Sequence, residues 1–305
     1  MDPLSPTSPT RPLPTSPAAR QTIAPDTAMG AVSLTVSDLA RSRAFYEAAL
    51  GLSVRDAGDG TLAFGVPGGA DLVRLHGDAS APGLDRRATG LYHLAVLFPT
   101  RRDLAHALVR LAEAHWPLDG VADHLVSEAL YLSDPDGNGI ELYRDRPREE
   151  WSYADGQLQM ATLPLDLRRL ADELAAADGP QATVPGATAM GHVHLQVASI
   201  PDAEAFYHGV LGFGVTTRGY PGALFVSAGG YHHHLGLNTW HSAGSGPAAP
   251  GAVGLRSYEV VLPDRSELDR VLDRVRAAGL SPVSESADSA VVRDPSGNLV
   301  VLLCR

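Results

Sequence analysis

The chain has 305 residues, with 24 lysine and arginine against 35 aspartate and glutamate side chains, a net charge of −11 and one cysteine, Cys304. The acidic balance gives no basic field for nucleic acid or an anionic membrane, and no apolar run approaches the roughly 20 residues that span a bilayer. A single cysteine excludes an internal disulfide, in keeping with a reducing compartment. We therefore expect a soluble, cytoplasmic globular protein that binds neither nucleic acid nor membrane and is free to form a homo-oligomer.

The first 28 residues are rich in proline, serine and threonine. They lack the continuous apolar segment of a secretory signal, and their composition cannot build a packed core. We predict a disordered tail over residues 1–28.

Two segments that start at Gly30 and Gly191 superpose without a gap and share the tripeptide AFY, which ends at Tyr46 and Tyr207. Each predicts a strand with alternating apolar residues, then a polar cap and a helix. Short strand-like pieces follow in both copies. The repeated unit is therefore βαβββ.

A second kind of unit, also a strand followed by an amphipathic helix, starts at Gly90 and recurs at Gly254. The four units cover about residues 30–76, 90–145, 191–241 and 254–305. In chain order we expect a first pair over 29–145, a connector over 146–190 with its own helix, and a second pair over 191–305.

The second and fourth units end in matching runs, YLSDPDGNGIELYR and VVRDPSGNLVVLLCR. The shared Asp-Pro and Gly-Asn predict a tight structural turn. Aligning Asp134 with Asp294 puts Glu141 opposite Val301. A carboxylate in an otherwise apolar strand is costly unless it is paired, so Glu141 marks a candidate site in the second unit only.

These paired βαβββ units, the AFYxxxLG helix and the DPDGNGIELY strand resemble the vicinal oxygen chelate superfamily, which includes glyoxalases, bleomycin-binding proteins and type I extradiol dioxygenases. The longer strings SEALYLSDPDGNGIELYRDRPREEW and GGYHHHLGLNTW resemble the branch of bacterial catechol 2,3-dioxygenases with four units. The resemblance covers nearly all of the chain after the tail. It implies an α+β fold in which the four units form two curved, incomplete barrels.

The resemblance also implies where metal ligands lie, namely on the first and last strands of two paired units. Those positions hold Ala31 in the first unit and Ser257 and Val301 in the fourth, which are poor ligands. In the middle units they hold His93, Glu141 and His192, the last preferred by motif position over His194 on the same strand face. We therefore predict that unit two pairs with unit three around a metal, and unit one with unit four as a scaffold.

Three further residues are candidate catalytic groups. If Leu235 and Leu237 face the helices, alternation turns His232 and His234 into the cavity, and His234 is our first choice for a base that takes a proton from a catechol. Through the extradiol resemblance, Tyr131 is expected to hydrogen-bond the substrate oxygen, and His124 to bind the bound oxygen.

The resulting hypothesis is extradiol cleavage of an aromatic diol by O2, with Fe(II) held by His93, Glu141 and His192; Mn, Zn or Ni suits the same ligands. A fourth ligand from His232 or His234 would instead favour a glyoxalase-like isomerase or a thiol transferase. The fold also carries non-catalytic proteins that bind aromatic ligands or drugs, so it does not decide among these functions.

Overall fold

The computed structural model describes residues 22–174 and 181–304. Of the predicted tail, residues 1–21 lie outside this range, whereas residues 22–28 belong to the folded body. Ile23 is buried, and its N–H donates to the Gly212 carbonyl. The N–H of Ala24 donates to the Glu267 carboxylate. Residues 22–28 are thus packed against the body, contrary to what their composition indicates, because one buried apolar side chain and two backbone N–H donors hold them.

The described residues form eighteen strands and five α-helices, with a 3-10 turn at Arg148–Glu150 and a π-helical stretch at Ala205–Val210. The helices are α1 (Leu39–Ala48), α2 (Arg101–Glu113), α3 (Leu167–Ala171), α4 (Ile200–Glu204) and α5 (Arg265–Ala277). The strands are β1 (Ala28–Val36), β2 (Ser53–Gly58), β3 (Thr61–Gly65), β4 (Asp71–Gly77), β5 (Gly90–Leu97), β6 (Gly120–Asp123), β7 (Ser127–Ser133), β8 (Gly139–Asp145), β9 (Tyr153–Ala154), β10 (Gln157–Leu158), β11 (Ala189–Gln196), β12 (Gly214–Thr217), β13 (Ala223–Ser227), β14 (Leu235–Asn238), β15 (Gly254–Leu262), β16 (Ser284–Glu285), β17 (Ser289–Arg293) and β18 (Leu299–Cys304).

Two eight-stranded curved sheets carry the fold, and each takes one unit from each half of the chain. The scaffold sheet has the order β16-β17-β18-β15-β1-β4-β3-β2 and joins units one and four. The site sheet has the order β12-β13-β14-β11-β5-β8-β7-β6 and joins units two and three. The α+β architecture of four βαβββ units is therefore confirmed, and the sheet order agrees with the pairing predicted from the ligand positions.

The two repeated motifs contact each other between the sheets. The hydroxyl of Tyr46, from the first AFY, lies 3.2 Å from Oδ2 of Asp134 in the unit-two turn. The hydroxyl of Tyr207, from the second AFY, donates to Oδ2 of Asp294 at 2.8 Å in the unit-four turn. Both tyrosines and both aspartates are buried, so each hydrogen bond fixes a helix of one sheet to a turn of the other.

The connector between the halves is packed against the body. A short hairpin of β9 and β10 and the helix α3 lie within it, and Trp151, Leu158 and Leu170 are buried. The predicted connector helix is observed over Leu167–Ala171; residues 175–180 lie outside the described range.

Candidate metal centre

Three adjacent strands of the site sheet carry the predicted ligands on one face. Strand β5 runs antiparallel to β11 and parallel to β8, so Ala95 lies opposite both His192 and Glu141. His93 is two residues from Ala95 and therefore shares its face. Because alanine fills little of that row, the imidazole from one side and the carboxylate from the other have room to meet above it.

The three side chains converge on one point. Nε2 of His192 and Nε2 of His93 each lie 3.0 Å from the same carboxylate oxygen, Oε2 of Glu141. The ligand atoms of the set all lie within 4.8 Å of one another, and the exposed fractions of Glu141, His93 and His192 are 2%, 6% and 1%. His192 and Glu141 are hydrogen-bonded, whereas Nε2 of His93 makes no hydrogen bond within residues 22–174 and 181–304.

This donor set fits a metal cation. Nitrogen and carboxylate oxygen atoms must be deprotonated to coordinate. Burial lowers the pKa of His192 to about 4, and although burial alone opposes ionisation of Glu141, its contacts with His192 and His93 bring the pKa of that carboxyl well below 4.5. Two imidazole nitrogens lie 3.0 Å from one buried carboxylate oxygen, and only that of His192 is hydrogen-bonded to it, so a cation placed among the three atoms would satisfy all of them.

A cavity of about 470 Å³ opens beside this cluster and is walled by aromatic side chains. Its lining includes Tyr92, Phe225 and Trp240, together with His93 and Glu141. The volume and the mixture of aromatic walls with a few convergent polar groups are those of a small-molecule site.

Tyr131 and His124 both line this cavity and are hydrogen-bonded to each other. Nδ1 of His124 donates to the Ala161 carbonyl at 2.7 Å, and Nε2 lies 2.7 Å from the Tyr131 hydroxyl. In the neutral imidazole Nε2 is then unprotonated and accepts from that hydroxyl. Burial, with the nearby Glu141 charge, raises the pKa of Tyr131 well above 10, so it stays a phenol. The phenolic oxygen keeps a lone pair for another donor.

His234 does not line the cavity, so the alternation predicted for it is wrong. Strand β14 begins only at Leu235, and residues 228–234 form a turn in which Gly229 and Gly230 have φ of 58° and 68°. Nδ1 of His234 accepts the Ala228 N–H at 3.1 Å. Leu235 and Leu237 are buried in the core as expected, but alternation does not extend back through the turn.

Two histidines that the sequence analysis did not select, His233 and His194, line the cavity. His194 was the less favoured ligand on its strand, and the sequence left open which residue of the histidine run enters the site. The His233 ring lies 4.1 Å from the His192 ring, centroid to centroid, and 4.9 Å from that of Phe225. Burial lowers the pKa of His233 well below 6.5, so the ring is neutral. The double glycine before the histidine run was the available signal, because it predicts a turn in which the alternation rule does not apply.

The chain belongs to the glyoxalase/bleomycin resistance protein/dioxygenase superfamily, whose family model matches residues 28–142 and 189–302. It is 46% identical over 274 residues to the catechol-2,3-dioxygenase of Bacillus subtilis (strain 168), a match covering 88% of this chain and 94% of that protein. It is 33% identical over 97 residues to biphenyl-2,3-diol 1,2-dioxygenase 3 of Rhodococcus globerulus, a match covering 31% of this chain and 46% of that protein.

The fold is shared with glyoxalase I from Zea mays, with a TM-score of 0.56 and 16% identity over 92% of each chain. At that identity the likeness concerns the fold alone. The sequence relatives are dioxygenases, and no helix among the described residues is long and apolar enough to cross a membrane.

Proposed function

We propose that this protein is an Fe(II)-dependent extradiol dioxygenase that cleaves the ring of a catechol-type diol. The observation that carries the proposal is the convergence of His93, His192 and Glu141 at one end of an aromatic-walled cavity. Such a two-histidine, one-carboxylate set leaves about three positions open on a six-coordinate ion, enough for a bidentate diol and O2 together. The 46% identity to a catechol-2,3-dioxygenase supports the same substrate class.

In this proposal the bound iron supplies the redox chemistry that lets O2 react with an aromatic ring. The protein residues place the substrate and handle its protons. The flat walls formed by Tyr92, Phe225 and Trp240 hold the ring by stacking and exclude water. The Tyr131 oxygen accepts a hydrogen bond from a diol hydroxyl while its own proton is held by His124.

His233 takes the role of base that the sequence suggested for His234. It lines the cavity beside His192, and its neutral imidazole can accept the proton that a catechol loses on binding and later return it. His234, with Nδ1 engaged by a backbone N–H, is not offered to the substrate.

The glyoxalase-like alternative needs a fourth protein ligand, for which His232 and His234 were the candidates. Both are engaged elsewhere, His232 with Asp145 at 2.8 Å and His234 with the Ala228 N–H. Within the described ranges the metal-binding group comprises three residues only. This count favours an open metal site and therefore dioxygen chemistry.

The test is anaerobic loading with ferrous iron, followed by catechol and air. We expect oxygen uptake matched to formation of a yellow ring-opened product, and loss of both in Glu141→Gln. The matched control is Glu259→Gln, which removes a carboxylate from the scaffold sheet. Catechol binding without oxygen uptake would favour a binding protein, and tight uptake of another metal without any product from simple catechols would refute the dioxygenase proposal.

A further inference from the structure

A chain of hydrogen bonds leads from the cavity to the protein surface through three residues. Nδ1 of His233 lies 2.8 Å from Nδ1 of His232. Nε2 of His232 lies 2.8 Å from Oδ1 of Asp145. The side chain of His232 is fully buried, whereas that of Asp145 is 28% exposed, so the chain of contacts ends at solvent.

The direction of each hydrogen bond follows from the chemistry of the groups. A carboxylate only accepts, so Nε2 of His232 must carry the proton that faces Asp145. With His232 neutral, the protonated Nε2 leaves Nδ1 unprotonated, and Nδ1 therefore accepts. The proton in the contact between the two histidines then belongs to Nδ1 of His233, which leaves Nε2 of His233 unprotonated.

Asp145 is itself held in place by a second donor. The Tyr231 hydroxyl donates to the same Oδ1 at 3.1 Å and lies 2.7 Å from the Tyr143 hydroxyl. Glu141, Tyr143 and Asp145 lie at alternate positions of β8 and so share one face of the sheet. The strand that brings the carboxylate to the metal cluster thus also brings the carboxylate that orients the histidines.

We propose that Asp145 and His232 are positioning residues that hold His233 in the tautomer with Nδ1 protonated and Nε2 free to accept a proton. Neither residue lines the cavity; both act through His233. The consequence for catalysis rests on the proposed function, because a base with the wrong nitrogen protonated cannot take a proton from the diol. The tautomer itself is a property of the protein and is measurable without substrate.

The first measurement is the tautomer, read from long-range proton–nitrogen correlation spectra of protein labelled with ¹⁵N-histidine and loaded with zinc. The His233→Gln variant assigns the signals of residue 233. We expect Nδ1 of His233 to carry the proton in the wild-type protein and to lose this preference in Asp145→Leu, which keeps the side chain's shape but removes the acceptor. A wild-type His233 protonated on Nε2 would overturn the proposal.

The second measurement is steady-state turnover of the iron-loaded protein. Asp145→Leu should lower kcat by on the order of ten- to a hundredfold, the usual cost of losing a residue that orients a functional histidine, with KM within about twofold. Asp145→Asn should keep most of the activity, because its amide oxygen still accepts from His232. Equal losses in the Leu and Asn variants, or none in either, would contradict the proposal.

The control is Glu150→Gln, which removes a nearby negative charge whose side chain is half exposed and contacts Arg146 at 3.4 Å. It should change neither the tautomer nor kcat. If Asp145→Leu fails to fold, His232→Phe removes the hydrogen-bond partner of His233 directly. This variant should show the same loss of the preference for a protonated Nδ1. Should the wild-type protein cleave no catechol, the spectra still decide the tautomer and only the proposed function fails.

Discussion

Replacing Gly191 with alanine should distort the candidate metal centre by forcing Tyr143 against it. A Cβ at this position of β11 would lie 1.8 Å from the Tyr143 hydroxyl oxygen and 2.6 Å from the ring carbon that carries it. Carbon atoms in van der Waals contact sit about 3.5–4.0 Å apart, so the tyrosine or the strand must move. Tyr143 is fully buried and its ring lies 4.8 Å from that of His192, centroid to centroid. The strain therefore falls on the next residue of the same strand, which is a predicted ligand.

The expected cost follows from two opposing effects. Gly→Ala stabilises a compatible backbone position by about 0.4–1 kcal/mol through the unfolded chain, whereas overpacking a closed core costs about 1–3 kcal/mol. Because a 1.8 Å approach is far inside contact distance, we expect overpacking to win and the free energy of unfolding to fall by about 1–2 kcal/mol. Zinc affinity should fall with it, since His192 moves.

Urea denaturation of the metal-free protein and zinc titration measure the two effects. Gly186→Ala is the matched control, because its Cβ meets nothing within 4 Å among the described residues and should change stability by no more than about 1 kcal/mol. Adding Tyr143→Phe to Gly191→Ala should restore only part of the loss, since the ring carbon remains. A Gly191→Ala protein with wild-type urea midpoint and zinc affinity would refute this reasoning.

Three further predictions concern the site itself. Glu141→Gln should weaken zinc binding at least about a hundredfold, measured by isothermal titration, because the substitution removes the one anionic ligand of the predicted set. The control variant Glu259→Gln should bind zinc as tightly as the wild-type protein. Equal affinities of the two variants would show that Glu141 is not a ligand. The free energy of unfolding of the metal-free protein should fall as pH drops from about 6.5 to about 4, because His192 takes up a proton in the unfolded chain before it does in the folded one. That contribution is about 1.4 kcal/mol per pH unit at most and ends below pH 4, and a flat urea midpoint across this range would contradict it. Tyr131→Phe and His124→Gln should each lower kcat/KM about tenfold but lower it little further when combined, because they act as one hydrogen-bonded pair; additive losses would mean that they act separately.

Much of the fold could be predicted because the two halves of the chain repeat the same units. The AFY and DP-GN motifs recur at matching places, and the contrast between Glu141 and Val301 indicates which units meet around a site. Which of the histidines 232–234 points into the cavity could not be predicted in the same way. Alternation holds only for extended chain, and the turn at Gly229 and Gly230 reorients the residues before β14.

The role of Asp145 was also beyond sequence reasoning. It lies among the charges of DRPREEW, where an acid is most simply read as solvated or paired with a neighbouring arginine. Its contact with His232 joins residues 87 positions apart, and only the pairing of unit two with unit three brings them together.

The interleaving of the two halves has a consequence for synthesis on the ribosome. When residues up to 145 have emerged, β1 and β5 each lack one neighbouring strand. The missing neighbours, β15 beside β1 and β11 beside β5, lie in the second half of the chain. Both are long strands whose unpaired backbone groups invite pairing with another chain. The edge at β5 therefore stays open until translation passes residue 196, and the edge at β1 until it passes residue 262. Two such first halves meeting at high concentration would offer these edges to each other before their own second halves are complete.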